Sequence, residues 1–272
     1  MTDSARILIV AGSDSGGGAG IQADIKSVTA LGGYAMTAIT ALTAQNTTGV
    51  QAVLPVDAAF IRQQMRSVIE DLGVDCGKTG MLHDSEVIAT VAATWSELAA
   101  GVPLVVDPVM VAQSGDRLIR DEAVVTLRDR LAPLATVLTP NVPEAEVLAG
   151  RALRGTDDME ALAGELLALG CGAVLLKGGH LGGTTVTDLL LVRGQPPLRL
   201  ESPRVETTSD HGTGCTLASA IATGLGQGMA LADAVRRARA YLLRALQTAR
   251  PLGHGHGPVN HGHTVAPFPG DR

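Results

Sequence analysis

Short apolar runs rich in β-prone residues recur along this chain, among them "RILIVAG", "YAMTAITALTAQ", "PLVVDPVM", "TVLTPN" and "AVLLKGG", and most are followed by a stretch with helical spacing. Strands that alternate with helices in this way pair in parallel, because the helix supplies the crossover that a parallel neighbour requires. The clearest helix covers residues 57–72, where Asp57 can cap, Phe60, Ile61, Met65, Val68, Ile69 and Leu72 make one apolar face, and Gly73 ends the run. Residues 85–99, 157–169 and 231–247 carry similar patterns. "TTVTDLLLVRGQPPLRLESPRVE" lacks a helical period and is broken by turn residues, so it is expected to form an antiparallel hairpin at one sheet edge. With 272 residues, 46% of them hydrophobic, the chain can bury the core of one large α/β domain spanning 1–272. Only 2% are aromatic, so that core has to be closely packed Ala, Val, Leu and Ile, which 33 glycines suit.

Polar and glycine residues gather where the apolar runs end: Gly12-Ser13-Asp14, Gln45-Asn46, Asp107-Pro108, Pro140-Asn141 and Lys177-Gly178-Gly179-His180. In an open α/β sheet that edge binds ligands, because strand ends and helix N-termini converge there, so one site along one edge is expected. Charge and cysteine usage narrow what the site serves. The net charge of −6 is scattered without a Lys/Arg stripe to attract a polyanion, which argues against nucleic acid. No apolar run is long enough to span a membrane, and the N-terminus lacks a signal-peptide pattern. Cys76, Cys171 and Cys215 lack the spacing of a disulfide framework or a zinc site, so a cytoplasmic protein with free thiols is expected.

Two glycine-rich stretches invite a nucleotide reading. "GSDSGGGAG" at 12–20 follows a strand and opens a helix, so its amides could hold an anion or polar ligand; equally, its glycines could serve tight turns with positive φ. Gly18-Ala19-Gly20-Ile21-Gln22-Ala23 satisfies a loose dinucleotide pattern but starts too late after the strand, and no acid lies between Asp24 and Asp57 to hold a ribose, so a nicotinamide enzyme is a distant reading. Gly73-Val74-Asp75-Cys76-Gly77-Lys78-Thr79 ends like a phosphate loop but is one residue short and follows a helix, which makes it a false match.

"SDHGTGCTLASA" at 209–220 is more informative. Gly212, Thr213 and Gly214 can aim successive N–H groups into one concavity, amplified by the helix that follows, and Cys215 sits at what reads as its first residue. A helix N-terminus lowers a thiol pKa towards neutrality, which suits a general base for an alcohol; a small space-filling cysteine is the alternative. Lys177 offers a charge for a phosphate, while Asp107, Asn141 and Glu144 offer the hard oxygens that Mg²⁺ prefers, although Asn141 and Glu144 also have capping-box spacing. Together they describe phosphoryl transfer.

"AGSDSGGGAGIQADIK" at 11–26, "TALTAQNTTGVQ" at 40–51, "KTGML" at 78–82, "VVDPVM" at 105–110, "LTPNVPEAEVL" at 138–148, "LLKGGH" at 175–180, "HGTGCTLASAI" at 211–221 and "GHGPVNH" at 255–261 occur in one order over nearly the whole chain. In these motifs the chain resembles the hydroxymethylpyrimidine and phosphomethylpyrimidine kinases of thiamine biosynthesis, within the ribokinase-like superfamily. The resemblance implies a three-layer α/β sandwich with a central, mostly parallel sheet, a homodimer, and ATP with Mg²⁺. It further implies that Asp24 and Gln45 hydrogen-bond the aminopyrimidine in a pocket shaped by Gly12, Met81 and Val109. Cys215 would be the base, with Gly212, Thr213 and Gly214 forming the anion hole. Lys177 would steady the ATP phosphates, the Asn141 to Glu144 segment would help bind Mg²⁺, and Arg239 would lie near the nucleotide.

One departure is local: Ser209-Asp210 precede His211 where that family usually has Asn-Thr, and Asp210 could tune Cys215, bind a cation or face solvent, the last being the expectation. The histidines at 254, 256, 261 and 263 are expected to belong to an ordered C-terminal extension rather than a chelating site. The implied activity is two successive transfers, first to 4-amino-5-hydroxymethyl-2-methylpyrimidine and then to its monophosphate. A pyridoxal or pyridoxine kinase and a non-catalytic pyrimidine-binding homologue are the rival readings.

Overall fold

The computed structural model describes residues 4–110 and 121–266. Strand β1 (Arg6–Asp14) leads through α1 (Gly20–Ala30) to β2 (Tyr34–Asn46), which turns back into β3 (Gly49–Pro55). Then follow α2 (Ala58–Leu72), β4 (Cys76–Thr79), α3 (Ser85–Leu98), β5 (Leu104–Val106), α4 (Asp121–Thr126), β6 (Val137–Leu138), α5 (Val142–Ala149), α6 (Met159–Leu167) and β7 (Ala173–Leu176). The hairpin β8 (Thr185–Val192) and β9 (Leu198–Pro203) precedes α7 (Thr213–Gly226) and α8 (Leu231–Gln247).

These strands form one sheet in the order β3-β2-β1-β4-β5-β6-β7-β8-β9, parallel from β2 to β7 and antiparallel at both edges. The expected hairpin is β8–β9. The second antiparallel edge, β3, was not foreseen, because this strand is exposed on both faces and so lacks the apolar alternation of a half-buried strand.

Alternation along β1 builds two cores. Leu8 and Val10 join Ile61 and Met65 of α2, Val91 of α3, Leu148 of α5 and Leu162 of α6 on one face. Ile7 and Ile9 join Ile21 of α1, Leu217 and Ile221 of α7, and Val235 and Tyr241 of α8 on the other. The result is a three-layer sandwich with helices on both sides.

Asp57 caps α2 through hydrogen bonds from the Ala59 and Phe60 amides, and Gly73 closes it at φ 74°. The expected apolar face is narrower than the spacing implied: Ile61 and Met65 are buried, but Phe60 is 59% and Leu72 42% exposed, because they flank the stripe that meets the sheet. A 3₁₀ turn over Thr156–Asp158 takes the start of the expected helix at 157–169, leaving α6 to begin at Met159. The false phosphate loop is strand β4, and Gly77 is needed there because the Trp95 ring occupies the place of a Cβ.

Candidate active site

All the parallel strands end at one edge, where a cleft of about 830 Å³ opens between the two helical layers. That is room for a small heterocycle together with nucleotide phosphates. Gly12, Gln45, Met81, Asp107, Val109, Asn141, Glu144, Lys177, Gly212, Thr213, Gly214, Cys215 and Arg239 all line it. Asp24 does not.

The β1–α1 glycine loop turns inward on an acid of its own. Asp14 accepts hydrogen bonds from the amides of Gly16 (2.8 Å), Gly18 (3.0 Å) and Ala19 (2.8 Å), and His211 Nε2 lies 3.0 Å from the same carboxylate. Burial alone would raise this carboxyl, but His211 and the amides outweigh it and hold Asp14 below the ordinary aspartate value. The loop's anion nest is thus filled by the chain itself, and the turn reading of its glycines stands, with Gly17 and Gly20 at φ 78° and 54°.

The free cradle lies at α7. Gly212 caps this helix in the left-handed region at φ 84°, and a Cβ there would collide with the Gly18 carbonyl oxygen. The helix begins at Thr213, so Cys215 is its third residue rather than its first. The Thr213 amide reaches the Asp210 carbonyl only at 3.4 Å, and the amides of Gly214 and Cys215 have no partner among the described residues. Cys215 is half-buried and its sulfur accepts from the Gly20 amide, yet burial pushes the thiol up to about 11. Lys78 pulls it down, and Asp24 and Asp107 push it further up. The expected low pKa is therefore corrected: two neighbouring carboxylates and desolvation outweigh the helix terminus, and the resting sulfur is a thiol.

Against this helix start, where a Cβ on Gly214 would lie 3.4 Å from Lys177 Nζ and 3.6 Å from Asp107 Oδ2, Lys177 Nζ and Thr139 Oγ1 each lie 3.0 Å from Asp107 Oδ1, while Asp107 Oδ2 has no hydrogen-bond partner among the described residues. Lys177 is tied to the neighbouring strand by its amide, which donates to the Pro140 carbonyl at 2.9 Å. Burial would lower its pKa, but Asp107 and Glu144 raise it, so it is a fixed ammonium. Asn141 and Glu144 form the capping box of α5, with both bonds at 2.9 Å. The same Glu144 that caps the helix also lines the cleft.

Burial pushes Glu144 up to about 7, against the opposing pull of Lys177. Between the unfolded glutamate value and that level the folded state holds a proton that the unfolded chain has lost, so this group's contribution to stability falls as pH rises through the window. Glu144→Gln is expected to raise the melting temperature at pH 8 more than at pH 5, as read by paired thermal melts.

Gln45 reaches the cleft from β2, its Nε2 3.4 Å from His211 Nε2 and its Oε1 3.2 Å from Thr43 Oγ1. Gly12 gives way to the Met81 methyl, which fills the place of a Cβ. Asp24 is corrected: it is fully buried under the floor, where Lys78 Nζ sits 2.9 Å from both its oxygens and Ser219 donates at 2.7 Å, so it cannot reach a ligand. Arg239 donates to Asp188 Oδ2 at 2.8 Å, and Asp188 Oδ1 accepts from the Gly178 amide, so Arg239 braces the loop carrying Lys177.

The described part of the tail, up to residue 266, packs onto the fold. His256 and Gly257 pair with Thr47 and Thr208, the Gly257 carbonyl accepts from His211, and His256 Nδ1 lies 2.7 Å from Asp210 Oδ1. Asp210 is thus held by the tail instead of simply facing solvent. The sequence assigns no role to His211, Asp14, Lys78 or Asp188; two carry a signal, Asp14 from its place at the end of the first apolar run and His211 from its place beside the Gly-Thr-Gly turn.

A family model described as phosphomethylpyrimidine kinase matches residues 14–260. A thiamine biosynthesis bifunctional protein, ThiED, of Geobacter sulfurreducens is 51% identical over 255 residues, which are 94% of this chain but 52% of that protein, so the chain spans about half of that relative. A hydroxymethylpyrimidine/phosphomethylpyrimidine kinase of Rhizobium meliloti is 50% identical over 259 residues, covering 94% of this chain and 96% of the other. The solved structure of Bacillus subtilis pyridoxal kinase with ADP aligns at a TM-score of 0.88 and 37% identity, over 95% of this chain and 98% of that one. With a cradle of free amides, a thiol and an ammonium gathered in one cleft inside the matched span, the chain belongs to the phosphomethylpyrimidine kinase family and carries its ribokinase-like fold.

Proposed function

We propose that this protein transfers the γ-phosphoryl group of ATP to the hydroxymethyl oxygen of 4-amino-5-hydroxymethyl-2-methylpyrimidine, and then a second one to the resulting monophosphate, in thiamine biosynthesis. The observation that carries this reading is the joint placement around one cleft of Gln45, Cys215, Lys177 and the Gly214 and Cys215 amides, which have no partner among the described residues. Gln45 offers a donor and an acceptor to an aminopyrimidine edge, with Gly12, Met81 and Val109 as walls.

In the first transfer Cys215 first releases its own proton to solvent; the alcohol proton then passes to the thiolate, the oxygen bonds to the γ-phosphorus, and the bond to the departing ADP oxygen breaks. The amides of Gly212 to Cys215 receive the charge that migrates, and Lys177, whose Nζ would lie 3.4 Å from a Cβ on Gly214, holds the phosphates beside them. Asp107 and Glu144 are the residues that would hold Mg²⁺. The open Asp107 Oδ2 and a second carboxyl fit an ion that binds through one or two carboxylates, water and phosphate oxygens. That ion would supply charge neutralisation between the phosphates.

Incubation with MgATP and the pyrimidine alcohol is expected to yield the monophosphate and then the diphosphate by mass spectrometry. The rival on the same fold is a pyridoxal kinase, and the side-by-side rate with pyridoxal decides between them; absence of any ATP-dependent product would instead indicate a binding protein. The free thiols Cys76, Cys171 and Cys215 and the use of ATP support a cytoplasmic enzyme. Exposed Val53 and Leu54 on edge strand β3, beside exposed Leu42, support a homodimer through this strand. Light scattering is expected to give twice the chain mass.

A further inference from the structure

Two buried charges have no part in the chemistry above. Lys78 and Asp24 are both 0% exposed, and the ammonium lies 2.9 Å from each carboxylate oxygen. Such a pair is a poor stabiliser, because the cost of desolvating both ions is of the order of their attraction, and an apolar pair would serve the core as well. Its position is more telling. Lys78 stands near the end of β4, two residues before Gly80 in the cleft wall, and a Cβ on Gly80 would lie 3.0 Å from Nζ. Ser219, which donates to Asp24, follows Cys215 by one turn of α7 on the same helix face. Asp24 takes two of the three ammonium protons, and the third has no acceptor among the described residues.

We propose that Lys78, anchored by Asp24 and Ser219, is a positioning residue whose ammonium under the cleft floor is the counter-charge that lets the Cys215 sulfur carry negative charge. This rests on the kinase reading. The charged groups facing the sulfur are Lys78 from β4, Asp24 from α1, Asp107 beyond β5 and Lys177 beyond β7. After burial itself, Lys78 acts on the thiol first and downward, ahead of the upward push of Asp24, and its ammonium stands within 3.0 Å of where a Cβ on Gly80 of the cleft wall would be. The thiol releases its proton to solvent, the thiolate takes the proton of the alcohol as the new O–P bond forms and ADP departs, and the net yield is phosphate ester, ADP and one proton.

Lys78→Met alone would strand a buried carboxylate and threatens folding, so the decisive protein is the neutral double variant Lys78→Met/Asp24→Asn. Its melting temperature is expected to match or exceed that of the parent. Alkylation of Cys215 by iodoacetamide at pH 8.5, without nucleotide, is expected to slow about tenfold or more, corresponding to a thiol raised by about one unit; Cys76 and Cys171 are buried and silent. Single-turnover transfer to the alcohol is expected to fall about 30-fold and transfer to the monophosphate less than about threefold. A folded double variant alkylated at the parental rate, or slowed equally in both transfers, overturns the proposal. Failure of the unmodified enzyme to phosphorylate either pyrimidine defeats the kinase reading instead, and the alkylation contrast still judges the role of Lys78.

Discussion

Cys215→Ala is expected to slow phosphoryl transfer to the alcohol by about 10² to 10⁴, the range a positioned general base supplies, and transfer to the monophosphate by less than about tenfold. The asymmetry follows from the acceptors. An alcohol must shed a proton as its oxygen bonds to phosphorus, whereas a phosphate monoester is already anionic near neutral pH and attacks without help. Cys215 lines the cleft and the amides beside it have no partner among the described residues, so removing the side chain deletes the proton acceptor and leaves the cradle in place. The burial that pushes the thiol up to about 11 adds a pH signature: the first transfer should accelerate as pH rises from 7 towards 9, while the second stays flat. Single-turnover assays of each step across that range check both statements, and equal losses in the two steps would remove Cys215 from the role of base.

The sandwich was legible because strand–helix alternation has few solutions, and the capping box of α5 because Asn141 and Glu144 are local partners three residues apart. Cys215 was legible for a similar reason: the Gly-Thr-Gly turn before it implies backbone amides turned towards one point. What escaped depends on contacts distant in sequence. Asp24 pairs with Lys78 and Ser219 across 54 and 195 positions, and no spacing rule reports that a carboxylate on α1 points under a floor instead of into a pocket. The Asp14 carboxylate fills the glycine nest that precedes α1, which short-range pattern alone cannot tell from a nest awaiting a ligand. The thiol's raised pKa reflects burial beside two acids, Asp24 of α1 and Asp107 after β5, so the helix terminus, the one local influence visible in the sequence, was overruled. Strand β3 escaped because both its faces are exposed.

Lys177→Met is expected to cost both transfers alike, by about 10² to 10³ each, in contrast to the selective loss at Cys215. The side chain is 14% exposed and its ammonium lies at the edge of the cleft that faces the amide cradle, so it acts on the donor phosphates, which both steps share. Its removal has a second consequence, since Asp107 loses its cation and Glu144 loses the charge that holds its pKa down. With that pull gone Glu144 rises further above 7, and the folded state gains stability by binding a proton at a pH where the unfolded chain does not. The variant should therefore be markedly less stable than the parent at pH 8 and recover much of the difference at pH 6, as thermal melts at the two values would show. Lys177→Arg separates charge from geometry: it keeps the cation, so the pH-dependent stability should return, but a planar guanidinium cannot reproduce the point contact to phosphate. Recovery of stability without recovery of rate would mean that the position of the ammonium, and not its charge alone, drives transfer; loss of only one transfer in Lys177→Met would show that the residue serves an acceptor and not ATP.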